Sequence, residues 1–375
     1  MQDKTPNVCC IFNLAPHYRS AIYTLMDKEL HCDFYFGDQV ETPIKLMDVA
    51  SLSGYKKTVR NVKIFNNRYT WQKNVVGLVF KNYKHYILTG DHKVLSNLVI
   101  AFFAWILNKK VYLWMHGLKS KEELYWKEKL EIYPLYHLAY KFLLYGNYSR
   151  NIMINKGFDA DKMLCIYNSL DYDVQFKIRQ KLVKSNIYAD YFKNDKPVLI
   201  YVGRIQKIKK IDLILISMLI LKQRGIDCNL VIVGDNSDDL DLTTLIRDAG
   251  LESNVWIYGP CYNEEITGEL IYNADVCVSP GNVGLTAMHC FVYGTPVITN
   301  NNFETQMPEF EVIEKDSTGD FFEQGNVWDL ANKITGWIGL DNKKRENIRL
   351  KAFEIIDNKY NPNYQIQVLK TALNA

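Results

Sequence analysis

Short apolar runs alternate with amphipathic stretches through most of the chain, and this alternation constrains the fold more than any other feature. It argues for an α/β architecture on parallel sheets, with helices carrying the chain from one strand to the next. In the first half the pattern predicts strands at 8–14, 33–36, 85–88, 111–114 and 164–167, and helices at 18–28, 94–107, 121–143 and 150–156. In the second half it predicts strands at 198–202, 228–233, 255–258, 275–279 and 296–299, helices between them, and one or two helices across 343–373. Ser120-Lys121-Glu122-Glu123 fits a capping box at the start of the 121–143 helix, and Pro134 should kink or split that helix. The pattern breaks at SNIYADYFKNDK (185–196), polar and then charged, just before Pro197. The domain junction is placed there, which gives domains 1–190 and 191–356, of ordinary size for a 375-residue chain.

Composition narrows the class. Apolar residues make up 48% of the chain, enough for large cores. The most apolar run, NLVIAFFAWIL at 97–107, falls short of the ~20 residues a bilayer span needs and reads as a buried helix. The opening MQDKTPNVCC lacks the basic-then-apolar order of a signal peptide. Eight scattered cysteines without a C-x-x-C read as reduced core residues of a cytoplasmic protein, not as zinc ligands. Residues 1–190 hold 27 of the 45 basic residues but only 17 of the 42 acidic ones, so the net charge of +3 hides a positive first half. Either this is ordinary solvated surface, or that half faces an anionic partner such as a phosphorylated substrate or a membrane surface. The basic residues form no tight block, and nucleic acid is not among the expected partners.

Ligands of open parallel sheets bind beyond the carboxyl ends of strands, so residues just after strands are the candidates. In YVGRIQKIKK (201–210) a strand ends at Gly203, and Arg204 and Lys209 flank a turn into the next helix. Two cations there can converge on a phosphate that the glycine backbone lets come close. In SPGNVGLTAMH (279–289) a small-residue loop runs into a helix starting near Gly284, where the N–H groups of Val283, Gly284 and Leu285 would be free for a diphosphate. WMHG (114–117) delivers His116 to a strand end, where it is as much a structural residue as a donor to a sugar hydroxyl or phosphate. His17, Tyr18 and Arg19 follow Pro16 in the first strand-to-helix turn, where they bind an acceptor or cap the helix. Three D-x-D triplets (Asp159/Asp161, Asp171/Asp173, Asp239/Asp241) read as surface turns. No P-loop and no G-x-G-x-x-G is present.

In their order and spacing, YVGRIQKIKK, LVIVGD (230–235), VWIYGPC (255–261), NADVCVSPGNVGLTAMHCFVYGTPVI (273–298), QMPEF (306–310) and TGDFFEQGNVWDLANKI (318–334) resemble the retaining glycosyltransferases of the GT-B architecture, family 4 most closely. The first half agrees more loosely, through WMHG, YGNYSRNIMINKGF and IYNSLD. The resemblance implies two Rossmann-like domains facing across a cleft, with a C-terminal helix, about 357–375, returning to the first domain. It implies transfer of a hexose-type sugar from a nucleotide diphosphate-sugar to a glycan or lipid-linked saccharide, in polysaccharide or lipopolysaccharide biosynthesis. Such enzymes work at the cytoplasmic membrane, so peripheral attachment at its inner face is expected. Arg204 and Lys209 match the pair that binds the donor diphosphate, with Gly203 beside them. Gly284 and Leu285 match the amides that meet a phosphate, His116 a histidine near the donor sugar, and Glu309 a cleft-edge glutamate. Gly259 falls where the base lies.

Two departures stand out. The family's E-x7-E pattern falls on Gly281 and His289, so both carboxylates, which read the donor sugar and the ribose, are missing. His289 borders the apolar stripe Leu285, Met288 and Val292, so it is either a core histidine or a ribose contact; Asn282 could supply a neutral contact to the sugar. No protein base or nucleophile is evident, and the resemblance implies that the leaving phosphate takes the acceptor proton. Cations and helix amides then stabilise the leaving group without a metal or other cofactor. Two other readings remain: a nucleotide-sugar 2-epimerase of the same architecture, and a degenerate nucleotide-sugar binder.

Overall fold

The computed structural model describes residues 7–38, 44–118 and 125–374. Its contacts divide the chain into two compact units. One gathers the described residues up to Asp171 and those from Asn361 on; the other runs Tyr172–Tyr360. The segment 172–190, placed above with the first domain, packs in the second unit. There Ser185 Oγ donates to Glu269 (2.7 Å), and Tyr188, a buried ring, hydrogen-bonds the Leu270 carbonyl.

In the first unit the main-sheet strands are β1 (Val8–Phe12), β2 (Asp33–Gly37) and β3 (Tyr55–Val59). A separate antiparallel hairpin, β4 (Asn61–Ile64) and β5 (Tyr69–Gln72), follows. The sheet resumes with β6 (His85–Thr89), β7 (Lys110–Met115), β8 (Lys141–Leu144) and β9 (Met163–Cys165). All its pairings are parallel, in the order β3-β2-β1-β6-β7-β8-β9. The central strands β1, β2 and β7 are buried along nearly their whole length, and their sequences are mostly apolar rather than alternating, as in a sheet covered on both faces. The edge strand β3, YKKTV, carries two exposed lysines, which discourage further pairing.

The last helix, Pro362–Asn374, belongs to this unit and packs against helix Ser20–Leu30. Tyr112 OH donates to the Ala372 carbonyl (3.0 Å). Gln365, fully buried, accepts from Ser169 Oγ (2.6 Å) and donates to the Tyr167 carbonyl (2.9 Å). The C-terminal helix therefore does return to the first domain.

The second unit has β10 (Val198–Val202), β11 (Asn229–Val233), β12 (Val255–Gly259), β13 (Val276–Ser279), β14 (Val297–Asn300) and β15 (Gly319–Phe322), all parallel, in the order β12-β11-β10-β13-β14-β15. Each unit is thus a Rossmann-like sheet whose order reverses beside its first strand: between β1 and β6 in one, between β10 and β13 in the other.

The expected helix over 121–143 differs. The described helix spans Trp126–Leu138, continues through Pro134, and gives way to β8. Tyr140 N–H donates to the Val111 carbonyl (2.8 Å) and starts the strand. A short apolar run such as KFLL has no period that separates strand from buried helix. The expected capping box at Ser120 lies outside the described residues. The 343–373 segment is two helices, Asn342–Asn358 and Pro362–Asn374. Of the D-x-D triplets expected as surface turns, Asp159 caps a 3-10 turn, accepting from Asp161 N–H (2.9 Å), whereas Asp241 caps the α-helix Leu242–Asp248, accepting from Thr244 N–H (3.0 Å). All eight cysteines are free. Among the described residues no helix is long and apolar enough to cross a membrane.

Candidate active site

At the switch point of the second sheet, β10 and β13 are neighbours, and each hands its following loop to the same place. β10 leads into Gly203, whose φ of +140° favours glycine. Gly234, after β11, touches it so closely that a Cβ there would lie 1.8 Å from the Gly203 carbonyl oxygen. Arg204 follows, its carbonyl held by Tyr201 OH (2.7 Å), and the chain turns back through one 3-10 turn, Lys207–Lys209. Lys209 Nζ then donates to the carbonyl (2.7 Å) and to Oδ1 (2.8 Å) of Asn282, in the loop after β13. One of the three ammonium donors remains.

The loop after β13 is latched from beneath. Gly281 N–H donates to the Lys209 carbonyl (3.0 Å). A Cβ at 281 would lie 2.2 Å from the Ile208 oxygen and 2.6 Å from Lys209 Cα. The backbone of the cation turn thus occupies the space that a side chain at 281 would need. Asn300 Nδ2 donates to the carbonyls of Pro280 (2.9 Å) and Gly281 (2.8 Å). Gln306 spans the loop, donating to Thr299 Oγ1 (3.0 Å) and the Asn300 carbonyl (3.0 Å), and accepting from Val283 N–H (2.6 Å).

The Val283 amide, expected to be free, is therefore engaged. Gly284 and Leu285 N–H groups, at the start of helix Leu285–Val292, have no hydrogen-bond partner among the described residues. Nothing stands closer to a Cβ at Gly284 than Met307, at 3.7 Å. Thr286 Oγ1 donates to the Val202 carbonyl (2.9 Å) and ties this helix start to the end of β10.

Burial and the like charge of Arg204 push the Lys209 ammonium down to about 8, while Glu309 pulls the other way. Arg204 and the buried Glu309 thus each act electrostatically on Lys209. Gly259 ends β12 with a φ of +85° and nothing within 4 Å of where a Cβ would sit.

His289 is no plain core histidine. Its Nε2 meets Glu264 Oε1 at 2.8 Å, and the same oxygen accepts from Tyr293 OH (2.7 Å) and Gln175 Nε2 (2.9 Å). Burial raises the Glu264 carboxyl, but His289, Tyr293 and Gln175 outweigh it and hold the group at about 2. Gly268, one turn along helix Glu264–Asn273, leaves room for the Tyr293 ring, which a Cβ would meet at 2.7 Å. The sequence reading missed Glu264; its only local signal is Asn263-Glu264-Glu265 opening a helix, with Asn263 as cap.

The first unit holds His116, Tyr18 and Arg19 around one cavity of about 620 Å³ at the ends of β1, β6 and β7. The His116 ring lies 4.8 Å from that of Tyr145. Gly117, at a φ of +81°, leaves room for Ser149, 2.6 Å from a Cβ there. His17 instead turns its Nδ1 to the Lys45 carbonyl (3.1 Å) and does not line the cavity.

Two Rossmann-like parallel sheets, one with a cationic cradle at its switch point, give this protein the GT-B fold. Residues 184–354 match the family described as Glycosyl transferases group 1, so the chain carries a domain of that family. An uncharacterized 41.2 kDa protein in the cps region of Klebsiella pneumoniae is 25% identical to it over 353 residues, 88% of this chain and 90% of the relative. Among solved structures, Anabaena HepE in complex with UDP matches with a TM-score of 0.72 at 16% identity, over 98% of this chain and 100% of that one. The lipopolysaccharide outer core galactosyltransferase WaaB, in its apo form, matches with a TM-score of 0.67 at 16% identity, over 98% and 99%.

Proposed function

We propose that this chain is a retaining glycosyltransferase that moves a hexose-type sugar from a nucleotide diphosphate-sugar to a glycan or lipid-linked saccharide. The carrying observation is the cradle: Lys209 fixed on Asn282 within reach of Arg204, beside the unengaged N–H groups of Gly284 and Leu285. Preorganised donors of this kind stabilise charge as it grows on a leaving diphosphate, usually the largest catalytic contribution. In the proposed step the bond from the anomeric carbon to the phosphate oxygen breaks and a bond to the acceptor oxygen forms on the same face. The acceptor proton passes to the departing phosphate oxygen. His116 orients the donor sugar, Gly203 and Glu309 flank the diphosphate, and Gly259 leaves the base an open wall. Asn282, with its carbonyl and amide oxygens on Lys209, acts by holding that cation.

For the ribose we propose the His289–Glu264 pair. Glu264 Oε1 already takes three donors, while Oε2 meets none among the described residues and can accept from a hydroxyl. The Klebsiella relative from a cps region and the UDP-bound Anabaena relative support a nucleotide-sugar enzyme of surface polysaccharide assembly. We place its work in the cytoplasm, at the inner face of the membrane, with Arg204, Lys209 and the helix amides in place of a divalent metal.

Thermal shift against UDP, GDP, ADP and dTDP tests the donor reading, since a ligand that binds only the folded state raises its apparent stability. At least one nucleotide is expected to raise Tm; no response to any of them sinks the proposal. Nuclear magnetic resonance of the product from the matching sugar donor reports the anomeric configuration, and inversion removes the retaining mechanism. Turnover in EDTA is expected to equal turnover in magnesium. An epimer formed without acceptor would move the chain to the epimerase class.

A further inference from the structure

The cavity of the first unit carries an unmet chemical demand. Arg19 lies between two rings, its guanidinium carbon 5.2 Å from the Trp114 centroid and 5.1 Å from that of Tyr145. Trp114 is only 2% exposed. Arg19 Nε and Trp114 Nε1 are both buried, and neither has a hydrogen-bond acceptor among the described residues. Both residues line the same cavity, of about 620 Å³. Ion pairs of this unit include Lys56–Asp33, Arg68–Glu131 and Lys370–Glu29; among the described residues no carboxylate pairs with Arg19.

Buried donors are nearly always satisfied, and leaving a charged one bare is the costlier failure. Two orphaned donors on one wall therefore specify a ligand with oxygen acceptors. Because one donor is a guanidinium, already desolvated by two aromatic faces, an anionic oxygen satisfies it best. The Tyr18 ring, on the same cavity, offers a flat surface to a sugar, and Asp91, also on it, can accept from hydroxyls. A purely apolar ligand would leave both donors bare.

We infer that this cavity binds an anionic sugar: the glycan that receives the transferred residue presents a carboxylate or a phosphate to Arg19 Nε, and the Trp114 indole N–H donates to a second oxygen of the same unit. The inference rests on the transferase reading above and names the charge of its acceptor. Calorimetric titration of the full chain without nucleotide, using glucuronate, glucose 6-phosphate and glucose, tests it. One of the two anionic sugars is expected to bind at least ~10-fold more tightly than glucose, and which one it is separates carboxylate from phosphate. Arg19→Gln is expected to weaken that binding by roughly 10- to 100-fold, the range for a hydrogen bond to a charged group. Trp114→Phe keeps the ring but loses the N–H; a loss of roughly 3- to 10-fold is expected, which also covers a failure of Arg19→Gln to fold. Glucose binding as well as the anions, or no saturable binding of either anion, overturns the inference. So does an Arg19→Gln variant whose UDP affinity falls as far as its sugar affinity, since Arg19 would then serve the donor. A wild-type chain that binds the anion but no nucleotide keeps this inference and loses the donor reading.

Discussion

The two units share a strand order and a switch point, yet the sites at those points are made of different material. In the second unit the site is largely backbone: glycines that let Gly234 meet Gly203 and Gly281 meet the Lys207–Lys209 turn, the Asn282 carbonyl that with its side-chain oxygen holds Lys209, and amides at a helix start. In the first it is mostly side chain: a guanidinium between rings, an indole N–H and a cavity of about 620 Å³. A phosphate is the same object in every nucleotide donor, and fixed backbone geometry suits it. A saccharide varies from one acceptor to the next, and side chains can vary with it without disturbing the sheet.

The sharpest way to break this contrast is to remove the cradle's charge. Arg204→Ala and Lys209→Ala are each expected to lower kcat by ~10²- to 10³-fold while anionic-sugar binding in the first unit stays within about twofold. Near-normal turnover in both variants would merge the two regions into ordinary surface.

Gly281→Glu supplies the side chain that the resemblance leads one to expect. It is nonetheless expected to cost about 1–3 kcal/mol, because the Ile208 and Lys209 backbone fills the space, and to lower Tm by roughly 3–10 °C. A stable and more active Gly281→Glu would refute the steric account.

Proton linkage probes the same turn. The Lys209 ammonium sits at about 8 in the folded chain, below its ordinary value of 10.5. Above about 8 it loses its charge, so UDP affinity by calorimetry is expected to fall by about tenfold per pH unit, a fall absent in Lys209→Ala. Without ligand the sign reverses. Burying the charged lysine opposes folding below about 8, and as pH climbs from about 8 to 10.5 the folded state sheds its proton first. This one group's contribution to stability therefore rises over that window, as denaturant titration can show.

The smallest effects are expected at the ribose pair. Glu264→Gln and His289→Ala should raise the donor KM by roughly 3- to 10-fold with little change in kcat, since they touch binding common to ground and transition states. Indifference to both changes would leave the pair as packing.

Much of this architecture was legible because buried parallel strands write themselves as apolar runs: VLIYV appears as β10 to the residue. The strands that escaped were those without that signature, namely the exposed edge β3, the hairpin β4–β5, β8, whose KFLL reads equally as helix, and β15, whose GDFF opens on a glycine and an aspartate. The loop positions of Arg204, Lys209 and Gly284, in the segments that follow β10 and β13, were readable from the strand pattern. Gln306 and Glu264 were not. Each reaches its partner across many residues, from Gln306 to Val283 and from Glu264 to His289, and no local spacing encodes such a bond. The engaged Val283 amide was misjudged for the same reason. The glycine at 281 was visible in the sequence, but its contact with the 208–209 backbone exists only in three dimensions.

The return of helix Pro362–Asn374 to the first unit sets an order on biosynthesis. The chain leaves that unit at Asp171 and re-enters it at Asn361, so the second unit is an insertion whose sequence is contiguous. On the ribosome, Tyr172–Tyr360 can close as soon as it emerges. The first unit, though synthesised earlier, must wait with Tyr112 OH and Ser169 Oγ lacking their helix partners until Gln365 and Ala372 arrive. The half of the molecule made first is thus the half completed last. A stop codon just before Asn361 is expected to spare the fold of the second unit and unsettle the first.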